Sequence, residues 1–279
     1  LEFVGPGISE LSMDFRSGID VMTTETTCLS SIWTTDEKTH EYLRIHGRES
    51  EYKKLAPEDV ALYDGVVCMD LSEVKPMIAL PFHPSNVYTI KDFTANAEDI
   101  LAGVEENARA TMGIDNFSLR SKITPKGVLA DQGIIAGCSG GTFENIYTAA
   151  DMLEKSASGT DAFTLNIYPQ SQPVFYELNK IGSVNKLMQF GAVIKTAFCG
   201  PCFGAGDVPA NGALSIRHTT RNFPNREGSK PAQGQIAGVA LMDARSIAAT
   251  ALNGGIITPA TDVEMPSNTY DYEFNAQIY

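Results

Sequence analysis

At 279 residues the chain is longer than one typical small domain, so two domains of roughly 100–200 residues are the starting expectation. Lysine and arginine total 21 against 34 aspartates and glutamates, and the resulting charge of -13 argues against nucleic acid or an anionic membrane as a partner. Hydrophobic residues make up 43%, enough for a sizeable core, yet no apolar run approaches the ~18 residues of a membrane span and no secretory leader opens the chain. Five cysteines (Cys28, Cys68, Cys138, Cys199 and Cys202) are too sparse and odd in number for a disulfide framework, so a reducing, cytoplasmic location is expected.

In chain order, residues 38–43 read as a helix, and residues 65–69 and 77–80 as short strands, the second stopped by Pro81. Residues 94–111 read as a surface helix with Thr94 or Asn96 as N-cap. Residues 121–127, SKITPKG, carry turn chemistry and are taken as the boundary between a first domain, 1–122, and a second, 123–279. Beyond it the alternation is more regular. The apolar run 133–136 stops at Gly137-Cys138-Ser139-Gly140-Gly141, and Thr142 offers an N-cap to a helix over 143–153. A strand is predicted over 162–168, a helix over 173–190 broken near Gly182, and a strand over 193–198 that stops at Cys199. The stretch QIAGVALMDARSIAATALNGG reads as one Ala-rich helix closed by Gly254-Gly255. Strand–helix alternation of this kind predicts an α/β fold with mostly parallel sheets. Cys138 and Cys199 then both fall just past strand ends, where open α/β sheets bind ligands.

Cys199-Gly200-Pro201-Cys202 admits three readings. A redox pair needs its first cysteine at a helix start, and Phe-Gly-Ala-Gly-Asp-Val-Pro after Cys202 does not begin a helix. Ordinary burial suits Cys28 and Cys68 better than cysteines in a Gly-rich loop. A metal site would use both thiolates, with Cys138 as a third. A structural zinc closes with four ligands, and none of His40, His46, His83 and His218 has a ligand-pair spacing with these cysteines. An iron–sulfur cluster on three cysteines leaves one iron open as a Lewis acid. Downstream, Arg217, Arg221 and Arg226 crowd into SIRHTTRNFPNREGSK. Alone that is a solvated basic loop, but Asn222-Phe223-Pro224-Asn225 points to an ordered turn whose guanidinium groups can fork onto carboxylates.

Together these residues resemble the aconitase superfamily, which places one cysteine in a Gly-Ser-Cys-Thr-Asn turn, two in Cys-Gly-Pro-Cys, and an Asn-Arg-Asn-Phe-x-Gly-Arg segment about twenty residues later. The counterparts are Gly137-Cys138-Ser139, Cys199-Gly200-Pro201-Cys202 and Thr220-Arg221-Asn222-Phe223-Pro224-Asn225-Arg226. GPGISELSMDFRSGIDVMTTE and DLSEVKPMIALPFHPSN are similar to stretches of the family's second domain, so the resemblance covers nearly the whole chain. The branch it resembles most is one of hydratases of undefined substrate. The resemblance implies two three-layer α/β/α domains, equivalent to the family's second and third. It implies a 4Fe-4S cluster on Cys138, Cys199 and Cys202, substrate carboxylates on Arg221 and Arg226, and Glu25 beside the open iron and its water. The implied reaction is dehydration and rehydration of a hydroxy carboxylic acid. Thr220, Ser139-Gly140-Gly141 and Val21 depart from the family pattern, which implies altered hydrogen bonds around the cluster.

Family members carry a domain before this region and another after it, and Leu1 in place of a methionine fits part of a longer protein. The resulting expectation is the cluster-binding core of an iron–sulfur hydro-lyase, inactive alone, whose partners are a small polycarboxylate or hydroxy-acid substrate and the missing domains. The alternative is a non-catalytic iron–sulfur or iron-sensing protein of the same fold. A dithiol oxidoreductase stands third.

Overall fold

The computed structural model describes residues 1–154, 156, 162–226 and 234–278. Residues before the central sheet form β1 (Glu2–Phe3), α1 (Met13–Met22), β2 (Ile32–Trp33) and α2 (Glu37–Ile45). β1 and β2 make a small parallel pair, on which Phe3 and Trp33 stack. Asp36 caps α2 through a capping box and takes a two-pronged bond from the buried Arg16 of α1. Residues 65–69, predicted as a strand, pair with no strand among the described residues: Val66, Val67 and Met69 are exposed. An apolar run without a facing strand leaves its backbone to water, and the segment stays irregular.

Next come β3 (Met77–Ala79), β4 (Val87–Thr89), α3 (Ile90–Ala95) and α4 (Ala97–Met112). The helix predicted over 94–111 is thus two helices meeting at Asn96. Asn96 holds the N-cap position of α4, but its side chain turns back to the Asp92 carbonyl. Nor is α4 a surface helix all round, since Leu101, Val104 and Ala108 are buried. The turn predicted at 121–127 is the hairpin of β5 (Ile123–Thr124) and β6 (Gly127–Val128).

The main body follows as β7 (Gln132–Ala136), α5 (Gly137–Gly140), α6 (Phe143–Leu153), β8 (Thr164–Tyr168), α7 (Gln172–Lys180), α8 (Ser183–Phe190), β9 (Val193–Ile194), β10 (Leu214–His218), β11 (Gly238–Met242) and α9 (Ala244–Leu252). Gly182, at a φ of 81°, separates α7 from α8 as the sequence predicts. The Ala-rich stretch is not one helix. Its first half is the buried strand β11, and Asp243 caps α9 by accepting from the Ser246 N–H. A run such as GVALM is apolar on both faces because a parallel strand is covered on both.

The sheet is seven-stranded, in the order β4-β3-β11-β10-β7-β8-β9. The pairs from β11 through β10, β7 and β8 to β9 are parallel; β3 joins β11, and β4 joins β3, antiparallel. The fold is therefore α/β with a mostly parallel sheet. β3 and β4 lie before residue 122 in sequence, yet Ile78, Leu80 and Leu101 share one core with Ile135, Ile167 and Ile216. Helices α6, α8 and α9 pack together over one face of the sheet. Period-two alternation puts Ile135, Ile167, Leu214 and Ile216 toward that core. The opposite face carries Ile134, Ala136 and Tyr168 as a small second cluster, with Asn166, Ser215 and Arg217 on the same side by alternation. No helix among the described residues is long and apolar enough to cross a membrane.

Candidate functional site

At the C-terminal end of β7 the chain turns through Gly137 (φ 72°) into α5, which carries Cys138. Two close approaches explain the glycines that follow. A Cβ on Gly140 would stand 2.1 Å from the His218 carbonyl oxygen, and one on Gly141 would stand 2.3 Å from that of Tyr168. The cysteine turn is thus wedged between the ends of β10 and β8, with no room for larger residues. α6 begins directly afterwards. Thr142 sits at its N-cap position but makes no side-chain capping bond; the Asp14 carboxylate instead accepts from the Glu144 N–H at 2.8 Å. Burial raises the Asp14 carboxyl above the usual range, and the backbone bond to Glu144 works against it.

Cys199 precedes and Cys202 ends a 3-10 turn, Gly200–Cys202, whose Pro201 carbonyl accepts from Arg217 on the second face of the sheet. β9 ends at Ile194, so Cys199 lies farther from its strand end than predicted. Cys202 is buried, and a Cβ on Gly137 would be 3.6 Å from its sulfur. Cys138 and Cys199 are exposed. Of the two cysteines predicted as buried, Cys68 is exposed and Cys28 half-buried, since neither lies in a packed element. Cys138 and Cys199 lie close enough to Cys202 to feel its charge. Burial, then the neighbouring Cys202, pushes the Cys138 and Cys199 thiols up, while Arg221 pulls both down. Among the described residues no three His, Cys, Asp or Glu side chains converge as ligands for a single metal ion.

Glu25 comes from far away in sequence. It sits in a 3-10 turn, Thr23–Thr26, directly after α1, and α1 packs on α5. Its Oε1 accepts from Arg221 Nε at 2.6 Å. Arg221 follows β10, and the next residue locks the turn: the Asn222 amide, almost fully buried, donates to the Ala79 carbonyl at 3.1 Å and the Leu80 carbonyl at 2.8 Å. Arg226 closes the turn, its N–H donating to Phe223, and its side chain forms no ion pair among the described residues. The rest of the basic segment, residues 227–230, lies outside the described residues. His218 is partly buried at the end of β10, accepts from the Ala244 N–H at Nδ1, and is pushed down to about 4 by desolvation, so it is neutral near pH 7.

Sequence reasoning missed two residues. Arg217, counted in the basic segment, is fully buried in β10, a strand not predicted. Asp207, at the end of the cysteine loop, accepts from Tyr168 Oη at 2.5 Å, Asn166 Nδ2 at 3.1 Å and Lys195 Nζ at 2.5 Å. The alternation of Leu214 and Ile216 with Ser215 and Arg217 was the available signal for β10.

The geometry is that of a parallel α/β sheet presenting two cysteine-bearing turns and a carboxylate–guanidinium pair at the C-terminal ends of its strands. Residues 1–249 match the aconitase family (aconitate hydratase), and the chain belongs to that family. It is 30% identical over 260 residues to the 3-isopropylmalate dehydratase large subunit of Clostridium kluyveri, covering 93% of this chain and 53% of that protein. Against the 3-isopropylmalate dehydratase large subunit 2 of Rubrobacter xylanophilus it is 31% identical, over 95% of this chain and 54% of the relative. The 2,3-dimethylmalate dehydratase large subunit of Eubacterium barkeri is 29% identical over 93% of this chain and 53% of its own length. The chain thus spans about half the length of the curated relatives it matches.

Proposed function

We propose that the chain is the cluster-binding part of an aconitase-like hydro-lyase acting on a small hydroxy carboxylic acid. The observation that carries this is the meeting, at one edge of one sheet, of the Cys138 turn, the Cys199–Cys202 turn and the Glu25–Arg221 pair. Cys138, Cys199 and Cys202 are the residues that would hold a 4Fe-4S cluster. Cys138 and Cys199 both lie close enough to Cys202 to feel its charge, and thiolates are the ligands such a cluster takes. The close glycines around them suit it too, because they let backbone approach. When bound, the cluster supplies a Lewis acid for a substrate hydroxyl.

The chain's own residues do the rest. Arg221 spends its Nε on Glu25, and its two Nη nitrogens make no hydrogen bond among the described residues, so they can fork onto a substrate carboxylate. Arg226 offers a second carboxylate site on the same turn. Glu25 is tied through Oε1, which leaves Oε2 to hold or move a proton at the substrate hydroxyl or its water. The relatives named above are dehydratases of branched dicarboxylic acids, so a substrate of that class is proposed here. They are also about twice as long and are named large subunits, so a further domain or a second subunit would complete the pocket.

Anaerobic reconstitution with ferrous iron and sulfide tests the cluster. A broad thiolate-to-iron absorption, abolished by Cys138→Ser, is the expected result. No such band, with a reversible Cys199–Cys202 disulfide instead, would sink the proposal. The whole protein is then assayed on branched hydroxy dicarboxylic acids, with Arg226→Lys as the carboxylate-binding control. No turnover of any of them with an intact cluster would refute the enzymatic part.

A further inference from the structure

Arg217 has a task that neither cluster ligation nor substrate binding describes. Its side chain is fully buried on the sheet face opposite the helices. Nε donates to Ser215 Oγ at 2.9 Å, and Ser215 in turn donates to Gln132 Oε1 at 2.7 Å, which fixes the plane of the guanidinium. Nη1 donates to the Pro201 carbonyl at 2.7 Å and reaches the Arg226 carbonyl at 3.5 Å. Nη2 donates to the Asp207 carbonyl at 3.2 Å. One rigid group thus touches the peptide between Cys199 and Cys202, the far end of the cysteine loop, and the end of the arginine turn.

We infer that Arg217 is a positioning residue that clamps the Cys199–Cys202 loop onto the sheet and ties it to the Arg221–Arg226 turn. The clamp rests on the functional reading above only for its purpose; the tethering itself is a property of the loop. A guanidinium suits it because its planar fork serves several carbonyls at fixed angles, whereas an ammonium offers one point donor. The charge also makes each bond stronger than a neutral donor would. Asp207 completes the tether from the other side, since its carboxylate holds Tyr168 and Lys195 while its carbonyl accepts from Arg217. Cys138 lies outside this arrangement, on α5, and serves as an internal control.

The test is alkylation of each cysteine in the iron-free whole protein, followed by mass spectrometry. In the wild type Cys202 is slow because it is buried. Arg217→Met is expected to speed Cys202 about tenfold, the scale of losing one charge-assisted bond in a local opening equilibrium, with Cys138 unchanged. Arg217→Lys should recover part of the protection. After reconstitution, Arg217→Met should bind less iron and sulfide and show an altered thiolate-to-iron spectrum. If Arg217→Met does not fold, Ser215→Ala, which frees only the Nε end, should still speed Cys202 roughly threefold by the same reasoning. Unchanged Cys202 protection in a folded Arg217→Met, or in Ser215→Ala, overturns the clamp, as does an equal rise at Cys138. A wild type that protects Cys202 but takes up no cluster would refute the cluster proposal and leave the clamp standing.

Discussion

Glu25 and Arg221 form a hydrogen-bonded pair across 196 positions of sequence. Such a pair, partly open to solvent, adds little stability, and the proposed function gives it a chemical task instead. Glu25→Gln should leave the melting temperature nearly unchanged while lowering kcat of the whole protein by ~10²-fold or more, as read in a hydration assay. His218 makes a different kind of prediction. Its folded value, about 4, lies below its ordinary 6.5, so the folded state binds fewer protons than the unfolded one in between. Its contribution to stability is whole above pH 6.5 and is lost as pH falls toward 4. His218→Asn keeps an acceptor for the Ala244 N–H and removes the titration, so urea midpoints measured from pH 7 to 4 should fall less steeply than in the wild type. Cys138, Cys199, Cys202, Arg221 and Glu25, singled out in the sequence, come to one edge of the sheet. Arg217 was misjudged because charge suggests solvent, and only the strand's alternation could show that it points inward.

At the scale of the element, the α5 turn is the tightest joint in the site. Gly140→Ala puts a methyl against the carbonyl of His218, a backbone atom that cannot swing aside. It should destabilise by about 3 kcal/mol or more and move Cys138, as measured by chemical denaturation and by loss of reconstituted absorbance. Gly103 is the contrast. It lies within α4 with nothing near its Cβ position, so Gly103→Ala should stabilise by ~0.5–1 kcal/mol in the same experiment. The helices over 37–45 and 143–153 were legible from periodicity. The stretch from 235 to 255 was not, because small apolar residues satisfy a buried strand and a helix alike; Asp243 was the divider, and its capping role shows only once Ser246 is seen to donate to it. The apolar run at 65–69 misled for the opposite reason. Composition suited a strand, but no strand among the described residues lies beside it.

Across the whole molecule, Asn222 is the stitch between the arginine turn and the antiparallel edge of the sheet. Removing its amide leaves the carbonyls of Ala79 and Leu80 buried without that donor. Asn222→Ala should therefore cost about 2–3 kcal/mol. Hydrogen exchange should quicken first at β3 and β4, and uniform exchange throughout the sheet would contradict the assignment. Parallel order was foreseeable from strand–helix alternation, but strand neighbours were not. Nothing local in residues 77–89 announces that they will add to β11, since that pairing depends on a partner far downstream.

That same pairing has a consequence for how the protein is made. Ala79 leaves the ribosome long before Leu241, the residue it pairs with. At synthesis rates of 5–20 residues per second, the β3–β4 hairpin waits on the order of ten seconds with one edge unsatisfied. During that interval Ile78 and Leu80, wholly buried at the end, have no finished core to enter. Until β11 emerges, this hairpin offers an apolar edge to a chaperone or to another nascent chain.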